Sequence, residues 1–265
     1  MKIIVLMGSP RSGETQKAVK HVSQRLKELG GFDIEIINLK DTDIKPCMGC
    51  FTCLTGKGEE KCPLKDDRDL IFGKLKSADG LIIAVPNYSL QVPALTKNLL
   101  DRLAFIFHRP CMYGKRFMAL VTQGIYGGGG IIKYLNEAMK FWGFGISKGV
   151  CVTTPPGQRL LSQQKKIDRA LDRAAERFAR ELAGRKQPKP SFKDIVIFRL
   201  ARTGLKNTEE TSIDRLYYES KGWFKSRYYY DVRLGPFKLT VGWLMDRLAA
   251  KMADKNRREA ARHIN

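Results

Sequence analysis

Short apolar runs alternate with amphipathic stretches through the first two-thirds of the chain. KIIVLMG (2–8), GLIIAVP (80–86), RFMALVT (116–122) and ISKGVCVT (146–153) are apolar runs of strand length, and DIEIINL (33–39) alternates as a strand does. Between them, Ala18, Val19, Val22, Leu26 and Leu29 recur at helical spacing within 15–29. Residues 66–77, 93–107, 130–142 and about 158–183 read as further helices. Five strands joined by helical crossovers predict an α/β chain with a doubly wound parallel sheet, helices on both faces. In such sheets ligands bind beyond the carboxyl ends of the strands, near the point where strand order reverses.

The pattern then changes. GRKQPKP (184–190) ends the last helix with glycine, prolines and basic residues, so a first domain over 1–184 and a linker over 185–191 are expected. Residues 192–265 form a mainly helical, aromatic and basic extension. Within it, FKLTVGWLMDRLAAKMA (237–253) puts Leu239, Trp243, Leu244, Leu248 and Met252 near one face of a helix. The plain reading is a helix packed on the core or across a homodimer. A basic amphipathic helix also suits an anionic membrane surface. Nucleic acid is a weaker third partner: Tyr228, Tyr229 and Tyr230 could stack on bases, but no binding motif accompanies them.

Charge sharpens these partners. The 265 residues carry 48 Lys and Arg against 27 Asp and Glu, a net +21, and about half of that excess lies beyond residue 184. Such a balance favours anionic partners, a phosphorylated cofactor among them. No run of about 18 apolar residues is present, so no membrane span is expected. The first apolar run leads straight into GSPR without a small-residue cleavage site, as a first strand rather than a signal peptide does. A cytoplasmic location is the expectation, with membrane-peripheral attachment through the extension as the alternative.

Two loops carry candidate chemistry. After the first strand, Ser9, Arg11, Ser12, Thr15 and Gln16 surround a turn at a helix N-terminus. Hydroxyls, a guanidinium and unpaired amides backed by the helix dipole fit a phosphate. The alternative is an ordinary strand-to-helix turn with Thr15 as N-cap. No Gly-Lys-Ser/Thr triplet follows and no G-x-G-x-x-G is present, which excludes the P-loop and the dinucleotide fingerprint. After the third strand, Pro86, Asn87, Tyr88 and Ser89 form a second polar turn. An aromatic ring and Leu90 beside exposed amides could cover a flat heteroaromatic ring there, although on these residues alone a capped turn with a surface tyrosine is the plainer reading.

Six cysteines in a reducing compartment should be thiols or ligands rather than disulfides. Cys47, Cys50, Cys53 and Cys62 are spaced C-x2-C-x2-C-x8-C, with Pro63 after the last. The first three match a ferredoxin pattern, a mononuclear zinc could use the same four ligands, and plain reduced thiols are the third reading. Cys111 and Cys151 sit in or beside apolar stretches and are expected in the core, and His21 and His108 on solvated helices.

Taken together, GSPR…T after the first strand, P-x-Y after the third, LLDR on the next helix and KPCMGCFTC…KC…KDD between them resemble the NADPH-dependent FMN reductase family, near its iron-sulfur flavoprotein branch. The resemblance covers about residues 1–180. It implies a flavodoxin-like sheet in the order 2-1-3-4-5, with FMN at its carboxyl edge. Ser9, Arg11, Ser12, Thr15 and Gln16 would hold the phosphate, and Pro86, Asn87, Tyr88 and Ser89 would line the isoalloxazine. Thr122, Gln123 and Gly124, in the glycine-rich TQGIYGGGG (122–130), would form a third wall able to move over substrate. The same resemblance makes Cys47, Cys50, Cys53 and Cys62 possible ligands of a [4Fe–4S] cluster, and implies a homodimer or tetramer.

The implied activity is FMN-dependent NAD(P)H oxidation, with electrons passing to a quinone, a flavin, a metal or a redox protein. Two alternatives compete with it. One is an iron-sulfur flavoprotein that carries electrons to a protein partner. The other is a flavodoxin-like scaffold whose basic tail binds membrane or nucleic acid.

Overall fold

The computed structural model describes residues 1–55, 62–184, 186–207 and 212–264, excepting the side chains of Thr55 and 260–264. Arg185 of the expected linker, residues 56–61 of the cysteine segment, 208–211 of the extension and the His263 side chain lie outside what is described. The chain divides into two compact units, Met1–Gly49 with Leu64–Gln187, and Cys50–Pro63 with Pro188–Asn265.

The first unit is built on β1 (Lys2–Met7), β2 (Asp33–Asn38), β3 (Gly80–Pro86), β4 (Arg116–Gln123), β5 (Gly145–Ile146) and β6 (Val150–Thr153). All pairings are parallel, in the order β2-β1-β3-β4-β5 with β6 also on β4. The fifth expected strand is therefore interrupted. Phe117 pairs with Ile146, but Leu120 pairs with Val150, so two residues of β4 face three of its partner. That is a bulge, which breaks the ladder and bends the strand. Gly149 suits it, because a Cβ there would stand 2.9 Å from the Ala119 carbonyl.

Helices α1 (Glu14–Leu29) and α6 (Leu161–Ala183) cover one face, burying Val19, Val22, Leu26, Leu171 and Phe178 against Ile3, Val5, Ile82, Ala84, Met118 and Leu120. By strand alternation Ile4, Leu6, Ile83, Ala119 and Val121 face the opposite side, where α3 (Arg68–Ser77), α4 (Ala94–Arg102) and α5 (Gly128–Trp142) lie. Burial on both faces explains why β1, β3 and β4 read as unbroken apolar runs while edge strand β2 alternates. This is the flavodoxin-like arrangement. The expected helix over 93–107 stops at Arg102 and tightens into a 3-10 turn, Ala104–Phe107. Cys111 and Cys151 prove half-buried rather than core residues.

The second unit holds α2 (Thr52–Thr55), α7 (Phe192–Lys206), α8 (Ile213–Ser220) and α9 (Pro236–Ile264), with an aromatic cluster drawn from α7, α8 and residues 223–230. Phe198, Tyr218, Trp223 and Tyr229 meet edge to face, and the Trp223 indole donates to the Tyr229 carbonyl at 3.0 Å. Tyr228 and Tyr230 pack edge to face as well, so the three successive tyrosines contact each other rather than forming an open stacking platform. Burial pushes the Tyr229 hydroxyl pKa up to about 12. Helix α9 lies on α7 through Gly242, Asp246 and Ala249, with Asp246 taken by Arg199, Arg202 and Thr203.

Candidate functional site at the carboxyl edge of the sheet

Three loops leave the carboxyl ends of the adjacent strands β1, β3 and β4. The first starts at Gly8, whose amide bonds the Ala84 carbonyl at 2.9 Å. Any side chain at Gly8 would collide with buried Thr96, whose Oγ1 lies 1.9 Å from the Cβ position. Ser9 is buried and its hydroxyl donates to the Arg11 carbonyl at 2.8 Å, which closes the bend and leaves Arg11 and Ser12 exposed. Gly13 precedes α1, supplies no side-chain cap, and has open space where a Cβ would be. The first-turn amides therefore have neither an intrahelical partner nor a side-chain cap.

Thr15 is not the cap. It lies inside α1, buried, with its hydroxyl 2.7 Å from that of Thr122 at the end of β4. Expected on two different loops, these residues tie the loops together. Half-buried Gln16 follows in the first turn. Glu14 opens the same turn and pairs with Lys17 at 2.8 Å and Arg159 at 2.5 Å. Burial alone would raise the Glu14 pKa, but the hydrogen bonds from Lys17 and Arg159 outweigh it and keep the carboxyl below its usual range. Arg159, from the loop before α6, thereby neutralises the acid nearest the loop. Sequence spacing offered no signal for a partner 145 residues away.

The second loop begins at Pro86. The Asn87 amide donates to the Thr122 carbonyl at 2.7 Å, and its side-chain nitrogen to the Tyr126 carbonyl at 2.7 Å. Asn87 Oδ1 is buried without a hydrogen-bond partner among the described residues. Tyr88 and Gln91 exchange backbone hydrogen bonds of 3.0 and 2.9 Å around Ser89 and Leu90. Both central residues are left-handed, at φ 49° and 64°. A turn of that hand normally takes Asn-Gly, so Ser-Leu stores strain of order 1–3 kcal/mol per residue. Gly127 makes room for the turn: a Cβ there would stand 2.5 Å from Leu90 Cδ2.

The third loop is more fully bonded than the sequence suggests. The Gln123 side chain accepts from the Gly128 amide at 2.7 Å and donates to Thr153 at 3.0 Å and the Ile125 carbonyl at 3.2 Å. The glycine run is partly helical. Gly127 caps α5 at φ 96°, and Gly128, Gly129 and Gly130 form its first turn. Gly128 has no room for a side chain, with Cys151 Sγ at 2.3 Å from the Cβ position, whereas Gly129 has open space and ordinary φ. Gly129→Ala should accordingly raise stability by about 0.5–1 kcal/mol in chemical denaturation. Gly124 is exposed with open space, as a wall would need, and the rim around it carries exposed Leu90, Ile125 and Tyr126. Ile125 and Tyr126 escaped the sequence reading, although two large apolar residues before a glycine run were a visible signal.

The cysteine segment is a separate matter. Cys47 and Cys50 are exposed, and Cys53 and Cys62 half-buried. Among the described residues no three His, Cys, Asp or Glu side chains are gathered closely enough to hold a metal ion. His21 is bonded to Asp172 at 2.8 Å between α1 and α6, and no acid–base pair forms on the three loops.

Comparison with known proteins matches this architecture. The family model described as NADPH-dependent FMN reductase matches residues 1–156. An iron-sulfur flavoprotein of Archaeoglobus fulgidus is 32% identical over 78% of this chain and 92% of its own length. A second protein of that name from the same organism is 36% identical over 52% of this chain and 71% of its own. The crystal structure of RosB with a bound 8-demethyl-8-formylriboflavin-5'-phosphate intermediate superposes with a TM-score of 0.59 at 14% identity, over 89% of this chain and 92% of that one, a likeness of fold. The chain belongs to the NADPH-dependent FMN reductase family.

Proposed function

We propose that the three loops hold FMN and that the protein oxidises NAD(P)H through it, delivering electrons to a quinone or another small acceptor. The observation that carries the reading is the uncapped α1 N-terminus beside the orphaned, buried Asn87 Oδ1, on two strands that meet at the switch point of the sheet. The donor set fits the cofactor. Arg11, Ser12 and the first-turn amides of α1 supply the charge-assisted donors a phosphate needs, while Ser9 shapes the bend from within. Arg159 and Lys17 neutralise Glu14, which would otherwise repel that phosphate. Asn87 Oδ1 offers an acceptor to an N–H or O–H donor of a bound ring, and Tyr88, Leu90 and Tyr126 supply apolar area around it.

Bound FMN supplies the hydride-accepting and electron-releasing ring. The chain's own residues bind and orient, and need no general acid or base for that transfer. Thr15 and Thr122 hold the first and third loops at a fixed spacing. The strained Ser89–Leu90 turn presents its backbone without a folding step on binding.

Anaerobic titration of the FMN-loaded protein tests this. NADPH or NADH should bleach the flavin band near about 450 nm within the turnover time, and an added quinone should restore it. A flavin that neither nucleotide reduces would overturn the reading. Reduction by ferredoxin-type donors alone, with stoichiometric iron and acid-labile sulfide, would instead support the electron-carrier reading that the cysteine spacing and the relatives' names favour.

A further inference from the structure

Helix α9 has an inner side of small and acidic residues committed to α7, and an outer side that, apart from half-buried Val241, stays exposed among the described residues. Phe237, Val241, Leu244, Leu248 and Met252 recur every three or four residues and form one row. Phe237 is 80% exposed, and Leu244, Leu248 and Met252 are each about half exposed. A second row, Trp243, Arg247 and Lys251, runs beside it at four-residue spacing, with the Arg247 guanidinium 4.1 Å from the Trp243 ring centre. Leu239, which the sequence pattern had grouped with these residues, is half-buried instead.

Charge says what would cover this side. The helix carries seven Lys and Arg against three acidic residues. Asp246 is spent on Arg199 and Arg202 of α7, while Asp254 and Glu259 pair with neighbours in the last turns. Arg247 and Lys251 have no carboxylate among the described residues, and both flank the apolar row. An apolar stripe of large side chains, a half-exposed tryptophan at its border and cations alongside match the interface of an anionic bilayer. A second copy of the chain is a poorer occupant, because symmetric pairing would set one cationic row against its equal. No described helix is long and apolar enough to cross a membrane, so contact would be with one leaflet.

We propose that α9 docks this protein on an anionic lipid surface, with the row Phe237–Met252 inserted at the headgroup boundary and Arg247 and Lys251 on the lipid phosphates. The inference is independent of the flavin assignment. Flotation of the full-length protein with vesicles tests it. Binding to phosphatidylcholine containing about one third phosphatidylglycerol should be at least about tenfold tighter than to phosphatidylcholine alone, and should weaken as salt rises. Tryptophan emission should shift to the blue on binding, since Trp142 and Trp223 are already buried and only Trp243 is half exposed. Leu244→Glu with Leu248→Glu should cost about thirtyfold in vesicle affinity, and Arg247→Glu with Lys251→Glu should abolish the anionic preference. All four positions are exposed, so the unfolding transition and flavin content should stay unchanged. Failure of the unaltered protein to bind anionic vesicles overturns the proposal. So does vesicle binding indifferent to Leu244→Glu/Leu248→Glu, or a concentration-dependent dimer that this pair dissolves without any vesicle binding.

Discussion

Ser9→Ala combined with Arg11→Ala is expected to raise the Kd for FMN by about 100-fold or more, with little change in fold. Arg11 brings the charge that a phosphate recruits, and Ser9 holds the bend by donating to the Arg11 carbonyl at 2.8 Å. Hydrogen bonds to charged groups contribute about 1.5–3 kcal/mol each, and every 1.4 kcal/mol is a factor of ten. The helix N-terminus would remain, so residual binding should persist at high FMN. Titrating the apoprotein with FMN by fluorescence quenching measures the change, and denaturation should show stability altered by less than about 1 kcal/mol. A dissociation constant within threefold of the parent would remove phosphate binding from this loop.

The second large effect concerns the scaffold. Arg102 on α4 is 1% exposed and holds the Asp66 carboxylate, itself 0% exposed, while donating to the Lys45 carbonyl at 2.6 Å. Arg102→Leu leaves a buried carboxylate without its cation, and should cost about 3–5 kcal/mol at neutral pH. Burial alone would raise the Asp66 pKa. The hydrogen bonds from Arg102 and from the Lys45 and Arg68 amides outweigh it and set the carboxyl below its ordinary value. A lowered folded-state pKa contributes stability above the unfolded aspartate value near about 3.9, and that stability is lost as pH falls toward the lowered value. The gap between parent and Arg102→Leu should therefore narrow as pH falls through that range, in urea denaturation followed by circular dichroism. Adding Asp66→Leu to Arg102→Leu should recover only part of the loss, because it removes the unpaired ion but leaves the Lys45 and Arg68 amides without their acceptor. A single variant as stable as the parent at pH 7 would show that the pair contributes little.

The sheet was legible because β1, β3 and β4 are covered on both faces, so their burial is written as unbroken runs such as Leu81–Val85. Helix α1 was legible from its period alone. The site was partly legible. The sequence put Ser9, Arg11 and Ser12 and the turn Pro86–Ser89 on loops at the carboxyl ends of β1 and β3, where the structure has them, because punctuation between a buried strand and a helix leaves a short choice of loops. The same reasoning could not see the neighbours of Thr15 and Gln123, since a hydroxyl or an amide in a loop carries no mark of the side chains it will meet. Nor could it see that Leu90 and Cys151 crowd Gly127 and Gly128.

Periodicity and loop chemistry within single segments thus determined the α/β class, the order of elements along the chain and two of the loops of the candidate site. Those are local properties, set by backbone geometry and by the demand that apolar faces be covered. Only the assembled structure decided what depends on residues distant in sequence. It set the bulge that splits the last strand, the Thr15–Thr122 clasp and the Glu14–Arg159 pair. It also set which side of α9 is spent on α7 and which is left to solvent. Pairings across more than a hundred residues leave no period in the chain, because they are selected by packing after the elements have formed.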